Sequence, residues 1–285
     1  MSDSVDPCAF VERLLPVVRQ CARASMVFYG QVADIGKAAD MALTGELAQD
    51  ASAAFTALDS GLQDIILSVV LQHFPTVRCI AEEDTALKRR FRGSRSRYAV
   101  ILDPIDGTLH FRQGDAPYHI CVGLACDGRM LAAVVARPSE DRIFAAVRGR
   151  GATVQTGDAA PEPLQLPPGG PPTNAIFIST KAAAYRPYAP PPLEPRDFPI
   201  GAALILTALA EGQLCAYLTR QVEVYDVAPP SLVAEEAGAR CFLRGGRTPT
   251  YDRSRKFPCY MAAATPELVP VLFDIIRAGD KGVRG

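Results

Sequence analysis

Three groups of acidic residues stand where apolar stretches end. Glu82-Glu83 follows the run 77–81, and Asp103-Pro104-Ile105-Asp106-Gly107-Thr108 follows the run 98–102. Asp226 comes directly after Val224-Tyr225. Carboxylates at strand ends can meet in space although they are far apart in sequence. Once together they repel and keep their protons unless a cation shares the charge. Hard oxygen donors without histidine favour Mg²⁺ or Mn²⁺ over zinc. Magnesium retains waters and recruits phosphate oxygens, so this pattern points to phosphate chemistry.

The run 103–108 is informative by itself. Asp103 ends a strand, Pro104 fixes the turn, and Asp106 comes three residues later, where both carboxylates can face one site. Gly107 lets the backbone approach an anion closely. Thr108 offers a hydroxyl and an amide at an expected helix start, where free N–H groups attract phosphate. Alone, the two aspartates could be turn formers, with Asp106 capping a helix. The Gly-Thr that follows and the two further acidic groups favour the chemical reading.

These groups need a layered scaffold, and the 285 residues can supply one. With 48% apolar and 21% charged residues, disorder is excluded and one large or two closely packed domains are expected. A net charge of −1 and a pI near 6.3 argue against a broad polyanion-binding surface. Residues 8–29 carry a helical stripe, with Pro16 as a kink point. A second helix is predicted from a cap at Asp59 through Leu62, Ile66 and Val70 to Phe74-Pro75. Strands are predicted over 77–81, 98–102, 118–126, 130–136 and 143–147, with Asp127-Gly128 as a hairpin turn. Lys88 to Arg97 reads as a solvated basic loop. The Pro/Gly-rich stretch 159–171 divides a first part, 1–158, from a second, 172–285, which would complete the site. In the second part helices are predicted over 200–210 and 226–237, the latter capped and ended by Gly238, with a strand over 213–218. Together this is an α/β architecture, largely antiparallel in its first half.

The eight cysteines are scattered, with no C-x-x-C, and read as small buried hydrophobes. His119, Cys121 and Cys126 match no common zinc spacing. The longest apolar window is too short to span a bilayer. The opening Met-Ser-Asp-Ser-Val-Asp lacks a basic stretch before an apolar one, so a cytoplasmic protein is expected.

D-P-I-D-G-T, Glu82-Glu83 after Ala81, Tyr225-Asp226-Val227-Ala228 and Glu236-Ala237-Gly238 together resemble the inositol monophosphatase superfamily. Thr56-Ala57-Leu58-Asp59 is similar to its T-x-x-D, and Gly149-Arg150-Gly151-Ala152 to its G-x-G-A. The resemblance spans about residues 10 to 275. It implies a layered αβαβα sandwich of the inositol monophosphatase/fructose-1,6-bisphosphatase type. It also implies a Mg²⁺-dependent, lithium-sensitive phosphomonoesterase, acting on a small phosphorylated metabolite and forming a homodimer. By resemblance, Glu82, Asp103 and the Ile105 carbonyl hold one metal, while Asp103, Asp106 and Asp226 hold another. Glu82 would help with a third, and Mn²⁺ could replace Mg²⁺. Gly107 and Thr108 would bind the phosphate.

Some positions depart from the family pattern. The residue three before Thr56 is Ala53, and the nearest carboxylate is Asp50, which either helps to activate water or is an exposed loop residue. Seven residues before Asp226, where inositol-specific members carry glutamate, stands Thr219. Glu223 could substitute, or Arg220 could meet a second phosphate. Ser179-Thr180-Lys181 is another candidate phosphate or nucleotide contact, and His110 either lines the rim or packs against it. Inositol phosphate, another sugar or polyol phosphate, fructose bisphosphate and a 3′(2′),5′-bisphosphonucleotide all stay open as substrates. The haloacid-dehalogenase-like D-x-D-G-T is a rival pattern, but there the aspartates are one residue apart. A non-catalytic regulatory family member is the non-enzymatic alternative.

Overall fold

The structure is a computed structural model, and it describes residues 4–31, 46–199, 201–253 and 256–282, with the backbone alone for 46–56. Helix α1 (Pro7–Ser25) starts where the Asp6 carboxylate accepts the Cys8 amide at 2.9 Å. Pro7 takes the first position, where a missing N–H costs nothing. Phe10, Leu14, Val18 and Cys21 form its buried stripe. Helix α2 (Glu46–His73) begins well before the predicted cap, so Asp59 lies in its middle and does not cap it. The preceding residues 46–58 are rich in Ala, Leu, Glu and Gln and contain no breaker, so the helix extends back through them.

The first sheet contains β1 (Arg78–Ala81), β2 (Tyr98–Asp106), β3 (His119–Cys126), β4 (Arg129–Arg137), β5 (Arg142–Val147), β6 (Gly151–Thr156) and β7 (Glu162–Leu164), in sequence order. β1 runs parallel to β2, and every other neighbouring pair is antiparallel. The β3–β4 turn holds Asp127 and Gly128 at φ 48° and 79°, as a two-residue hairpin requires. β2 runs past its predicted end: pairing with β3 resumes at Asp106–His119 after a break following Asp103. Pro104, which has no N–H, sits in that break. β7 lies inside the stretch predicted as a connection, because at a sheet edge Pro163 need not donate to a further strand.

The second sheet has the order β12 (Arg240–Leu243), β14 (Tyr260–Ala263), β10 (Ala216–Thr219), β8 (Ala175–Ile178) and β9 (Glu194–Pro195). β11 (Val222–Glu223) and β13 (Lys256–Phe257) form a small separate ribbon. Between the sheets lie α5 (Ala202–Ala210) and α6 (Val224–Glu236); α1 and α2 cover the far face of the first sheet. A final helix, α7 (Leu268–Gly282), covers the second sheet. The two short helices α3 (Ala86–Arg89) and α4 (Thr108–Gln113) follow the acidic motifs. The result is an αβαβα sandwich with three apolar cores.

Strand alternation sorts residues between those cores. Val100 and Leu102 face α1 and α2, whereas Ala99 and Ile101 face the central layer. All nine residues of α5 are buried, as a helix enclosed by two sheets requires. Gly123 lets α6 settle on β3: an added Cβ would stand 2.5 Å from Met130 Cε and 3.4 Å from Pro229 Cβ. The G-x-G-A and E-A-G motifs meet, because Glu236 accepts the amides of Gly149 and Gly151 at 3.0 Å. Among the described residues no helix is long and apolar enough to cross a membrane. Ile66 is fully buried between α2 and the first sheet. Ile66→Ala is therefore expected to cost about 2–5 kcal/mol in a urea titration while leaving the far-UV spectrum unchanged.

Candidate active site

The site is assembled by strand pairing. Ala81 lies opposite Leu102 in the parallel β1–β2 pair, and the Glu82 amide continues the ladder to the Leu102 carbonyl at 3.2 Å. Glu82 is thereby brought beside Asp103, close enough for each carboxyl group to act on the other's protonation. Asp106 lies at the end of β2, and Asp226 lies in the first turn of α6. Asp226 is not the cap of that helix, which begins two residues earlier than predicted. Three distant stretches thus bring four carboxylates within electrostatic reach of one another.

Asp103 and Asp106 are buried, Asp226 is partly covered, and Glu82 opens to solvent. Burial raises Asp103 well above the carboxylate range, and the charges of Glu82, Asp106 and Asp226 add to the effect. Burial also pushes Asp226 up to about 8, aided by Asp106 and Glu82. Asp106 rises to about 7 through burial, held back by amides at the start of α5. The Ala203 amide donates to Asp106 Oδ2 at 2.7 Å, so Asp106 does cap a helix, but one that begins almost a hundred residues later. That helix is itself anchored: Arg137 Nη2 donates to Thr207 Oγ1 at 2.7 Å, and Thr207 Oγ1 donates to the Ala203 carbonyl at 2.8 Å.

A cavity of about 250 Å³ opens beside this group. Its wall includes Asp106, Gly107, Thr108 and Asp226 together with Ser179, Thr180, Lys181, Tyr217 and Thr219. Gly107 has φ 92°, which favours glycine, and it leads directly into α4. Thr108 Oγ1 donates to the Ile105 carbonyl at 3.1 Å, and Asp103 Oδ1 accepts the Ile105 amide at 3.0 Å. Lys181 Nζ donates to the Gln221 carbonyl at 3.1 Å, and Thr219 Oγ1 donates to Ser179 Oγ at 2.9 Å.

Not every predicted residue reaches the cavity. The guanidinium of Arg220 stands over the Tyr185 ring at 5.8 Å and is not on the wall. Glu223 pairs with Lys256 at 3.3 Å, although its charge still acts on Glu82 and Asp226. His110 lies 2.7 Å from Asp115 through Nδ1. The side chain of Asp50 falls outside the described residues, as does that of Thr56. His119 is buried, with Nε2 accepting from Arg137 Nε at 3.2 Å.

Asp59 is a residue that the sequence reading misplaced as a cap. It is 5% exposed, its Oδ1 has no hydrogen-bond partner among the described residues, and burial with Glu82 and Glu83 nearby raises it to about 8. The signal was its spacing: positions 59, 62 and 66 share one helix face, so Asp59 is aligned with Leu62 and Ile66 on the buried side.

Among the described residues, no three His, Cys, Asp or Glu side chains stand in ready metal-binding geometry. Asp106 and the Ile105 carbonyl are engaged by protein donors. The donor chemistry nevertheless fits a hard divalent cation. All the donors are oxygens, and crowding holds protons on groups that a cation could neutralise instead.

A sequence model described as the inositol monophosphatase family matches residues 22–268. The chain belongs to that family. A Streptomyces griseus relative named glucose-1-phosphate thymidylyltransferase is 34% identical over 66% of this chain and 72% of its own length. Nus factor SuhB of Pasteurella multocida is 26% identical over 78% of this chain and 82% of its own. Inositol-1-monophosphatase of Mycobacterium leprae is 34% identical over 49% and 50%. The fold matches an inositol monophosphatase from Zymomonas mobilis with a TM-score of 0.74 at 15% identity, covering 96% of this chain and all of that one. It also matches Mycobacterium tuberculosis SuhB with a TM-score of 0.68 at 22% identity, covering 97% and 98%. Family membership supports a phosphatase.

The raised carboxyl groups fix the sign of a pH effect. A group with a raised folded-state pKa holds its proton better in the folded chain, so its stabilising contribution is present at low pH. It is lost as pH rises from the ordinary value near 4, through about 7 for Asp106 and about 8 for Asp226 and Asp59. In EDTA, the melting temperature is expected to fall between pH 5 and 8; a rise across that window in scanning fluorimetry would contradict the crowding.

Proposed function

We propose that the chain is a Mg²⁺-dependent phosphomonoesterase acting on a small phosphorylated metabolite, such as a sugar or polyol phosphate. The reading rests on the convergence of Glu82, Asp103, Asp106 and Asp226 next to a cavity whose wall contains Gly107 and Thr108. Those four carboxylates and the Ile105 carbonyl would hold the cation. When bound, it supplies Lewis acidity that lowers the pKa of water and offsets phosphate charge.

The remaining work belongs to the chain itself. The Gly107 and Thr108 amides hold the phosphate oxygens, and the surrounding walls exclude bulk water. With its neighbours' charge offset by a bound cation, Asp59 would be ionised and would receive the proton of the attacking water. Its place on the buried face of α2 and its nearness to Glu82 favour it over Asp50 for this role. Ser179, Thr180 and Thr219 offer hydroxyls to the leaving alcohol, and Lys181 offers a positive charge. The water oxygen bonds to phosphorus in line as the bond to the alcohol oxygen breaks, and that oxygen takes a proton from solvent, with no covalent enzyme intermediate.

A regulatory reading draws on the likeness to Nus factor SuhB along 82% of that protein. Phosphate release from sugar, polyol and nucleotide phosphates, with Mg²⁺ and with or without lithium, separates the two. Background rates across the panel would leave only the regulatory reading. Asp103→Asn should lower kcat at least about 100-fold without unfolding the chain; near-normal turnover would reject the carboxylate assignment. Asp59→Asn should lower kcat by about 10²–10⁴-fold while Mn²⁺ still binds, as measured by titration calorimetry.

A further inference from the structure

The turn carrying Glu82 is held from outside the sheet. Gln63, fully buried on α2, grips the next residue at both backbone groups: its Nε2 donates to the Glu83 carbonyl at 2.8 Å, and its Oε1 accepts the Glu83 amide at 2.9 Å. Two flanking bonds reinforce this grip. Thr85 Oγ1 donates to Asp64, the neighbour of Gln63, and Lys88 Nζ donates to the Ala81 carbonyl at 2.6 Å. Glu82 is therefore bracketed. Its amide bonds to Leu102 on the sheet side, and Gln63 secures the peptide groups that follow it.

An amide side chain suits this position for a physical reason. It satisfies one donor and one acceptor of the backbone simultaneously, without adding a charge beside Asp59, Glu82 and Glu83. A glutamate would lose the donor and add a fourth negative charge. A methionine would fill the space but leave both Glu83 backbone groups unpaired.

We propose that Gln63 is a positioning residue that sets the affinity of the acidic site for divalent cations by fixing the place of Glu82. This rests on the reading of Glu82 as a cation ligand. Groups that orient ligands in this way typically change metal affinity by about 10–100-fold when removed. The test measures Mn²⁺ binding by calorimetry in the full chain, in Gln63→Met and in Ile66→Ala. Ile66 is one turn further along the same helix and has no bond to the turn, so it reports general destabilisation.

Gln63→Met is expected to weaken Mn²⁺ binding about 10–100-fold. Ile66→Ala should keep the affinity of the unaltered chain despite a lower melting temperature. Equal affinity in Gln63→Met and the unaltered chain would overturn the positioning role while leaving the cation reading intact. Weakening in Ile66→Ala as large as in Gln63→Met would assign the effect to lost stability and would also overturn the role. If the unaltered chain binds no Mn²⁺, the cation reading itself fails, and this inference with it.

Discussion

Several carboxylates share one poorly solvated place, and the rest of the molecule is arranged around that fact. Like charges in a medium that screens them weakly cannot all be ionised unless something offsets them. The chain by itself offers partial answers. Asp103 accepts the Ile105 amide, Asp106 accepts an amide at the start of α5, and the raised carboxyl groups retain protons. Each of these is a protein substitute for what a divalent cation would do for all the groups together.

Such crowding demands rigid supports, and the five-layer sandwich provides them on several sides. The parallel pairing of β1 with β2 aligns Glu82 with Asp103. A break in the β2–β3 ladder at Pro104 turns Asp106 towards the central layer. There α5, enclosed by both sheets and tied by Thr207 to Arg137, presents its first amides to Asp106. From the opposite face, α2 contributes Asp59 and, one turn later, Gln63. The central core and the core under α1 and α2 both contribute, so the site lies where two apolar clusters meet.

The family relationship agrees with this architecture. Its motifs also join elements of the fold. Glu236 of E-A-G holds the glycines of G-x-G-A by their amides, joining α6 to the β5–β6 turn. Asp226 is carried on the same helix, so that link also steadies the site. On the cavity wall, the Thr219 hydroxyl is bonded to Ser179.

The sequence by itself determined the strand-end acidic motifs, the hairpin at Asp127-Gly128 and the layered class, because these follow from local chemistry and hydrophobic period. It also determined that Asp103, Asp106 and Asp226 belong to motifs of one family. It misread Asp59 as a cap, ended β2 early and treated 162–164 as a connection, because helix propagation and edge pairing depend on neighbours. Arg220 and Lys181 looked equivalent in sequence, yet one stacks on Tyr185 and the other lines the cavity. Only the tertiary structure decided which polar groups were left unpaired, which were clamped and which charges met. Those outcomes depend on distances between segments that no local pattern encodes.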